Sequence, residues 1–186
     1  MKDIYNKKPI GHIVLECIGK DGVVDRYEQD NLIMDAARIA VSSAIAGVSN
    51  TVPMNKFVIG TEGHVTGDYL TPKTELEGFI SSRTELFSEE LSSFTYPIEF
   101  QVPGTSSGAC TVVSEPDTGS IVNLNYVGTD VTFMIEIPEL SANNSGVVVF
   151  TEAALYAGDN IFSMKCFPGK IKDNTVSLKV RWTIKF

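Results

Sequence analysis

Few residues in this chain of 186 residues could carry out acid–base or metal chemistry, because it has only two histidines and three cysteines. Glu62 and His64 stand two residues apart in a glycine-punctuated loop and could supply two ligands to a metal ion. A tetrahedral metal site needs at least three protein ligands, and no third candidate stands at a fixed spacing from this pair. We therefore expect a tightly turned surface loop here and no metal site.

Phosphate-binding and nucleophilic patterns are also missing from the sequence. Gly60, Gly63 and Gly67 do not form the GxxxxGK[ST] or GxGxxG motifs that hold a phosphate. No GxSxG motif presents a catalytic serine. His12 falls within an alternating strand pattern, where we expect a structural role. The sequence thus predicts no catalytic, cofactor-binding or metal-binding residue, and it favours a binding or structural module over an enzyme.

The three cysteines and the single tryptophan are expected inside the protein. Cys17, Cys110 and Cys166 lie far apart without CxxC spacing. We therefore expect buried free thiols in a reducing compartment and no disulfides. Trp182 could stack on a sugar, but it lies among alternating apolar residues, which favours a place in the core.

The composition is that of an ordinary folded protein with an acidic balance. Hydrophobic residues make up 43% of the chain and charged residues 20%. The net charge of -8 argues against nucleic acid as a partner, since phosphate groups are neutralised by basic patches. The sequence contains no run of about 18 apolar residues, so it predicts no membrane-spanning helix. Residues 1–9 lack the apolar centre of a signal peptide and are expected to form a polar N-terminal arm.

The C-terminal stretch has the clearest structural signal. Apolar and polar residues alternate to the end of the chain, and the apolar set is Val176, Leu178, Val180, Trp182, Ile184 and Phe186. This period of two predicts a long strand with one buried and one solvated face. The solvated face carries Lys179, Arg181 and Lys185, and from residue 162 onward the chain has six Lys or Arg against one acidic residue. This basic strip indicates either a subunit contact or a solvated strand face.

A hairpin and a helix are predicted near the start of the chain. Strand patterns over residues 10–18 and 23–27 flank an Asp-Gly turn, which indicates a β-hairpin. Apolar residues then recur at helical spacing, which predicts an α-helix over about residues 31–46. Asp30 or Asn31 would cap this helix, and Gly47 would end it.

The remaining pattern is of strands at hairpin spacing. Further strands are predicted over residues 56–60, 83–87, 94–102, 110–113, 120–127, 131–137, 147–156 and 161–167. Pro97 predicts a sheet edge or a bulge in its strand. Pro168-Gly169 is expected to end the strand before it, and the last three strands are expected to form a meander.

Together these elements predict a mainly β protein: an antiparallel β-sandwich with one α-helix, at about residues 31–46, packed on it. We expect residues 10–186 to form a single domain. A hairpin over residues 110–113 and 120–127 makes residues 104–130 a candidate insertion in that domain.

Six stretches together resemble small structural proteins from the virions of tailed bacteriophages. They are Asp30-Asn-Leu-Ile-Met-Asp-Ala-Ala-Arg38, Phe57-Val-Ile-Gly-Thr-Glu-Gly63, Val131-Thr-Phe-Met-Ile-Glu-Ile-Pro138, Phe150-Thr-Glu-Ala-Ala-Leu-Tyr156, Ile161-Phe-Ser-Met-Lys165 and Arg181-Trp-Thr-Ile-Lys-Phe186. The resemblance covers most of the chain outside residues 90–130 and consists of hydrophobic and turn positions. Ala154 stands where a Gly is common in that group.

The resemblance implies a non-enzymatic virion component of the tail, baseplate or neck that assembles in symmetric copies. Its partners would be other copies of itself and neighbouring virion proteins, with no nucleic acid, membrane or cofactor. It would be made in the host cytoplasm and end in the virion. Two alternatives are a decoration protein on the capsid surface and a carbohydrate-binding module for host attachment.

Overall fold

The computed structural model of the chain describes residues 9–48, 52–73, 94–114, 119–143 and 146–186. The predicted N-terminal arm and the strand predicted over residues 83–87 lie outside these ranges, apart from residue 9. The described residues are mainly strand, with one short helix, and every strand pairing is antiparallel. The prediction of a mainly β, antiparallel protein with one helix is confirmed.

The first half of the described chain contains six strands and the helix, and the second half contains seven strands. The first set is β1 (Ile10–Gly19), β2 (Gly22–Ile33), α1 (Asp35–Ile45), β3 (Met54–Gly60), β4 (His64–Val65), β5 (Asp68–Pro72) and β6 (Thr95–Gln101). The second set is β7 (Gly108–Ala109), β8 (Thr111–Val112), β9 (Ile121–Val127), β10 (Asp130–Ile137), β11 (Val148–Ala157), β12 (Asn160–Lys172) and β13 (Ser177–Lys185).

Eleven of the strands form one sheet in the order β7-β9-β10-β13-β1-β2-β12-β11-β3-β6-β8, and β4 and β5 form a separate small hairpin. The long strand β2 joins two halves of the sheet: it pairs with β1 over most of its length, and Leu32 and Ile33 at its end pair with β12. The sheet is therefore continuous through β2. The half that contains β1 and β13 is curved and nearly closed, like a barrel.

The larger cluster of buried side chains contains residues from both halves of the sheet. In β13, Leu178, Val180, Trp182 and Ile184 are all buried, so the predicted alternation is confirmed for these four residues. Val176 and Phe186, which were also predicted on the buried side, lie outside the strand and are partly exposed. Trp182 meets Phe57 of β3 edge-on, with ring centroids 6.3 Å apart. Phe100 of β6 and Phe133 of β10 are 5.7 Å apart. These contacts join both halves in one cluster of buried side chains.

The helix begins later than predicted. Residues 31–33 belong to β2, because their backbone pairs with β1 and β12 and this pairing buries Asn31 and Ile33. Met34 is the residue before the first turn, so neither Asp30 nor Asn31 caps the helix. The predicted end is confirmed, since Gly47 follows the helix with φ +70°.

The predictions for the C-terminal strands were wrong in two respects. The strand β12 continues through Pro168-Gly169, because the pairing with β11 shifts register between Phe150 and Glu152 and so accommodates a residue without an N–H. The strand β13 pairs with β1 and β10 and not with β12, so the last three strands do not form a meander. Only β11 and β12 form the expected hairpin.

The chain between β6 and β10 is built into the sheet at both ends. The segment β7 pairs with β9, and the backbone N–H of Cys110 donates to the carbonyl of Val122, so an antiparallel return exists close to the predicted hairpin. The next residues, β8, pair with β6 instead. Within the described residues Pro97 has a strand partner on one side only, at Val58, as expected for a proline at an edge.

Candidate functional site

The loop that contains Glu62 and His64 borders a polar cleft of about 420 Å³. The ring of His64 lies against the ring of Tyr69, with centroids 4.4 Å apart, and its Nδ1 is 3.4 Å from Oγ1 of Thr151. In the ranges that the structure covers, no three His, Cys, Asp or Glu side chains are placed to hold a metal ion. The two residues are thus close together, as the sequence spacing requires, without forming a ligand set.

The same loop is fastened to a buried acidic residue that the sequence interpretation missed. Glu152 of β11 is fully buried, and its Oε1 accepts a hydrogen bond of 3.2 Å from the backbone N–H of Glu62. The backbone N–H of Gly63 donates to Oγ1 of Thr151 at 2.8 Å. A Cβ on Gly63 would lie 2.4 Å from the carbonyl oxygen of Thr151. The glycine is therefore required by the close approach of two backbones.

Glu152 could have been noticed as the one acidic residue in the apolar run of β11. Its strand pairs it with Gly60, and a Cβ at that position would lie 2.8 Å from its Oε1. The glycines of the loop and the buried carboxylate are therefore one structural unit. Since the buried carboxylate accepts a hydrogen bond from the Glu62 backbone, this unit fastens the loop to β11.

The remaining reactive residues are also placed in structural surroundings. All three cysteines are buried and free, as predicted. Burial, followed by the nearby charge of Asp25, raises the pKa of Cys17 to about 11, so its thiol stays protonated and unreactive at neutral pH. Trp182 is fully buried, which excludes it as a platform for a sugar.

A regular set of side chains lies on one face of the sheet, which we call the outer face. It consists of the side chains of β9, β10, β13, β1 and β2 that point away from the core. Strand register arranges them in three rows: Ile121, Glu136, Lys179, Glu16 and Arg26; Asn123, Met134, Arg181, Val14 and Glu28; and Asn125, Thr132, Thr183, His12 and Asp30.

Charges on the outer face are sorted by strand. The strand β13 presents only basic charges, at Lys179, Arg181 and Lys185, whereas the acidic charges lie on the strands to either side of it. On one side these are Asp130 and Glu136 of β10, and on the other Glu16, Glu28 and Asp30 of β1 and β2. The face is therefore a basic strip between two mainly acidic ones, the second of which also contains Arg26 of β2.

Most of these charges are already paired within the chain. Lys179 contacts Glu136 at 3.2 Å, and Arg26 pairs with Glu16 and with Glu28, the latter at 2.6 Å. The hydrogen bond from Arg26, together with one from His12, lowers the pKa of Glu28.

His12, for which a structural role was expected, lies between two acidic side chains of β2. Its Nε2 is 3.2 Å from Glu28 and its Nδ1 is 3.0 Å from Asp30. It therefore helps to hold the acidic strip of the outer face together.

Arg181, like Lys185, differs from Lys179 and Arg26 on the outer face. No carboxylate in the described ranges forms an ion pair with it, although its side chain is exposed. It lies in the middle row between Met134 and Val14, beside a shallow depression of about 250 Å³. The depression also includes the half-exposed Ile121. The arrangement suits an apolar contact that brings a carboxylate to the guanidinium.

Comparisons of the chain with protein-family models, with curated proteins and with solved structures gave no match. Among the residues that the structure covers, no helix has the length and apolar character needed to cross a bilayer.

Proposed function

We propose that the chain is a structural virion protein of a tailed bacteriophage, assembled in symmetric copies in the tail, baseplate or neck. The observation that carries this proposal is the outer face, which combines exposed apolar side chains with separated acidic and basic strips. A surface of this kind fits another protein better than it fits a small molecule, since the depression on it is shallow and lined by opposite charges.

The fold supports the same role. Within the described ranges both ends of the eleven-stranded sheet are strands of only two residues, and Pro97 lies on the part of β6 that β8 leaves open, where it disfavours the addition of a further strand. As part of this proposal, the two halves of the sheet act as the two layers of a β-sandwich around the shared core. A layered body with a broad face of charged and apolar side chains is a suitable building block for a ring or a tube.

The resemblance to virion proteins agrees with this placement of residues. The stretch Phe57 to Gly63 and the stretch Phe150 to Tyr156, which are distant in sequence, lie side by side as β3 and β11. Gly60 and Glu152, one from each stretch, are paired in register. Two of the stretches that carry the resemblance are therefore neighbours in the sheet.

Proteomic mass spectrometry of purified phage particles tests this proposal. Particles should be purified from the culture that expresses the chain, and antibody labelling should locate it in electron micrographs. Recovery of the chain in fixed proportion to tail proteins, with label on the tail, baseplate or neck, is the expected result. A fixed ratio to the capsid protein, with hundreds of copies per particle, would instead assign the chain to capsid decoration. Absence from washed particles would overturn the proposal.

A further inference from the structure

We propose that residues 107–113 form a clasp that joins the two ends of the sheet and opens while the rest of the chain stays folded. The strands β7 and β8 stand at opposite ends of the sheet order, but they are parts of this one segment, separated by the single residue Cys110. The segment pairs with β9 through β7 and with β6 through β8. The sheet is therefore closed on itself through the clasp, and this inference does not depend on the virion role.

Few backbone contacts hold the clasp in place. The two residues of β7 pair with β9, and the two residues of β8 pair with β6. The backbone N–H of Cys110 donates to the carbonyl of Val122, and that of Val113 donates to the carbonyl of Glu99, both at 2.8 Å. By contrast, β1 pairs with β2 and with β13 along nearly its whole length. Because local opening must break only the contacts of the segment that opens, the clasp should open at a lower free energy than these strands.

The clasp also buries little of its own surface. Cys110 is buried in the larger core cluster and Val112 packs partly against it, whereas the other five residues of the clasp are exposed. The second short junction of the sheet, where the end of β2 meets β12, is better fastened. There the buried hydroxyl of Ser163 in β12 donates to the carbonyl of Leu32 in β2. The clasp is therefore the weaker of the two junctions.

Opening of the clasp has two consequences. It uncovers the backbone edges of β6 and β9, so the clasp decides whether the sheet presents an edge with which a neighbouring chain can pair. It also removes the cover from the thiol of Cys110. Since all three cysteines are buried and free, this thiol reports on the clasp, while Cys17 in β1 and Cys166 in β12 report on the body of the sheet.

Thiol labelling of the whole native chain with N-ethylmaleimide measures the opening. Peptide mass spectrometry gives the rate at each cysteine, which is divided by the rate of the same cysteine in the unfolded chain. Cys110 should react roughly a hundredfold faster than Cys17 and Cys166, because they await unfolding of the sheet. Urea below the unfolding midpoint should accelerate Cys17 and Cys166 steeply and Cys110 only slightly, since opening of the clasp exposes little surface.

A variant separates opening of the clasp from simple access to Cys110, which is 9% exposed when the clasp is closed. Gly108 has φ +146°, where a side chain is strained, so Gly108→Ala should destabilise the closed clasp and accelerate labelling of Cys110 roughly tenfold. Gly128→Ala is the matched control, because Gly128 also has a positive φ, of +63°, but lies in the turn between β9 and β10. It should leave the rate at Cys110 unchanged.

Two results would overturn the inference. Equal rates at the three cysteines, or an equally steep dependence on urea, would show that the clasp opens only when the whole chain unfolds. A rate at Cys110 that Gly108→Ala does not change would show that the thiol reacts without any opening. The wild-type measurements decide the matter alone if Gly108→Ala does not fold, and the particle experiment still decides the virion role separately.

Discussion

The indole N–H of Trp182 donates a hydrogen bond to the hydroxyl of Ser163 at 3.3 Å. Trp182 belongs to β13 and Ser163 to β12, so the bond crosses the core between the two halves of the sheet. The same hydroxyl donates to the carbonyl of Leu32 at 3.0 Å and accepts a hydrogen bond from the side-chain amide of Asn31. One buried serine therefore links β2, β12 and β13 at the place where the two halves meet.

Replacing this serine should weaken the fold without changing its shape. Ser163→Ala leaves the indole N–H and the Asn31 amide buried without their acceptor, which should lower the free energy of unfolding by about 1–3 kcal/mol. Ser42→Ala is a suitable control, because Ser42 lies on the exposed helix and bonds only to the carbonyl of Ile39. Urea unfolding followed by tryptophan emission measures both. Equal stability of the two variants would show that the link contributes nothing.

Trp182 in β13 and Phe186 just after it should contribute very differently to the free energy of unfolding. Trp182→Ala removes a fully buried ring and should cost about 3–5 kcal/mol. Phe186→Ala, the matched change on the same side of the chain, should cost about 0.5 kcal/mol or less because Phe186 is 46% exposed. Thermal unfolding followed by circular dichroism compares them. In wild type, acrylamide should quench Trp182 weakly, and strong quenching would contradict its burial.

Gly63 should not accept a side chain. A Cβ there would collide with the carbonyl oxygen of Thr151, so Gly63→Ala should destabilise the protein by about 2–3 kcal/mol. Gly104→Ala provides the control, since a Cβ at Gly104 meets nothing within 4 Å. Denaturant midpoints of both variants measure the difference. If Gly63→Ala were as stable as Gly104→Ala, the loop would not be fastened to β11 as described.

Lys172 should make stability depend on pH in the alkaline range. Burial lowers its pKa to about 8, and its ammonium donates to the carbonyls of Glu139 and Asp173. An unfolded lysine has a pKa of about 10.4, so between these values the unfolded chain binds more protons and stability rises with pH. This contribution amounts to about 2 kcal/mol between pH 7 and pH 9.5.

The variant Lys172→Met isolates that contribution. Its free energy of unfolding relative to wild type should fall by about 2 kcal/mol from pH 7 to pH 9.5, because only wild type gains stability there. Cys17→Ala should shift in the opposite sense, since the raised pKa of Cys17 makes wild type lose stability as the pH rises toward 11. Urea titrations at the two pH values measure both changes. Parallel pH profiles of Lys172→Met and wild type would show that the amine is not buried.

Local sequence patterns predicted the structure correctly where the burial of a strand follows from its own residues. The alternation around Trp182 predicted which side of β13 faces the core, and the Asp-Gly turn predicted the hairpin of β1 and β2. Local patterns predicted the wrong strand ends where pairing with a distant part of the chain extends the strand. Ile33 fits a helical spacing, but β12 offers it backbone hydrogen bonds and burial, so β2 extends over it. Pro168 fits a strand end, but a register shift in β11 lets β12 continue.

The candidate site was predicted only in part for the same reason. The basic residues of β13 could be assigned to one face from their alternation, and the alternative of a subunit contact followed from their excess. The acidic strips beside them depend on β13 lying between β10 and β1, which no local pattern reveals. Glu152 was missed because its contact with the loop of Gly63 joins residues about ninety positions apart.

The proposed role of this chain is that of a building block of a virion. A density map of the intact phage particle tests it most directly. We expect symmetric copies of the chain in the tail, baseplate or neck, with the outer face of each covered by a neighbouring protein. A particle without the chain would contradict the virion role, and copies whose outer faces are open to solvent would contradict the use of that face as a contact surface.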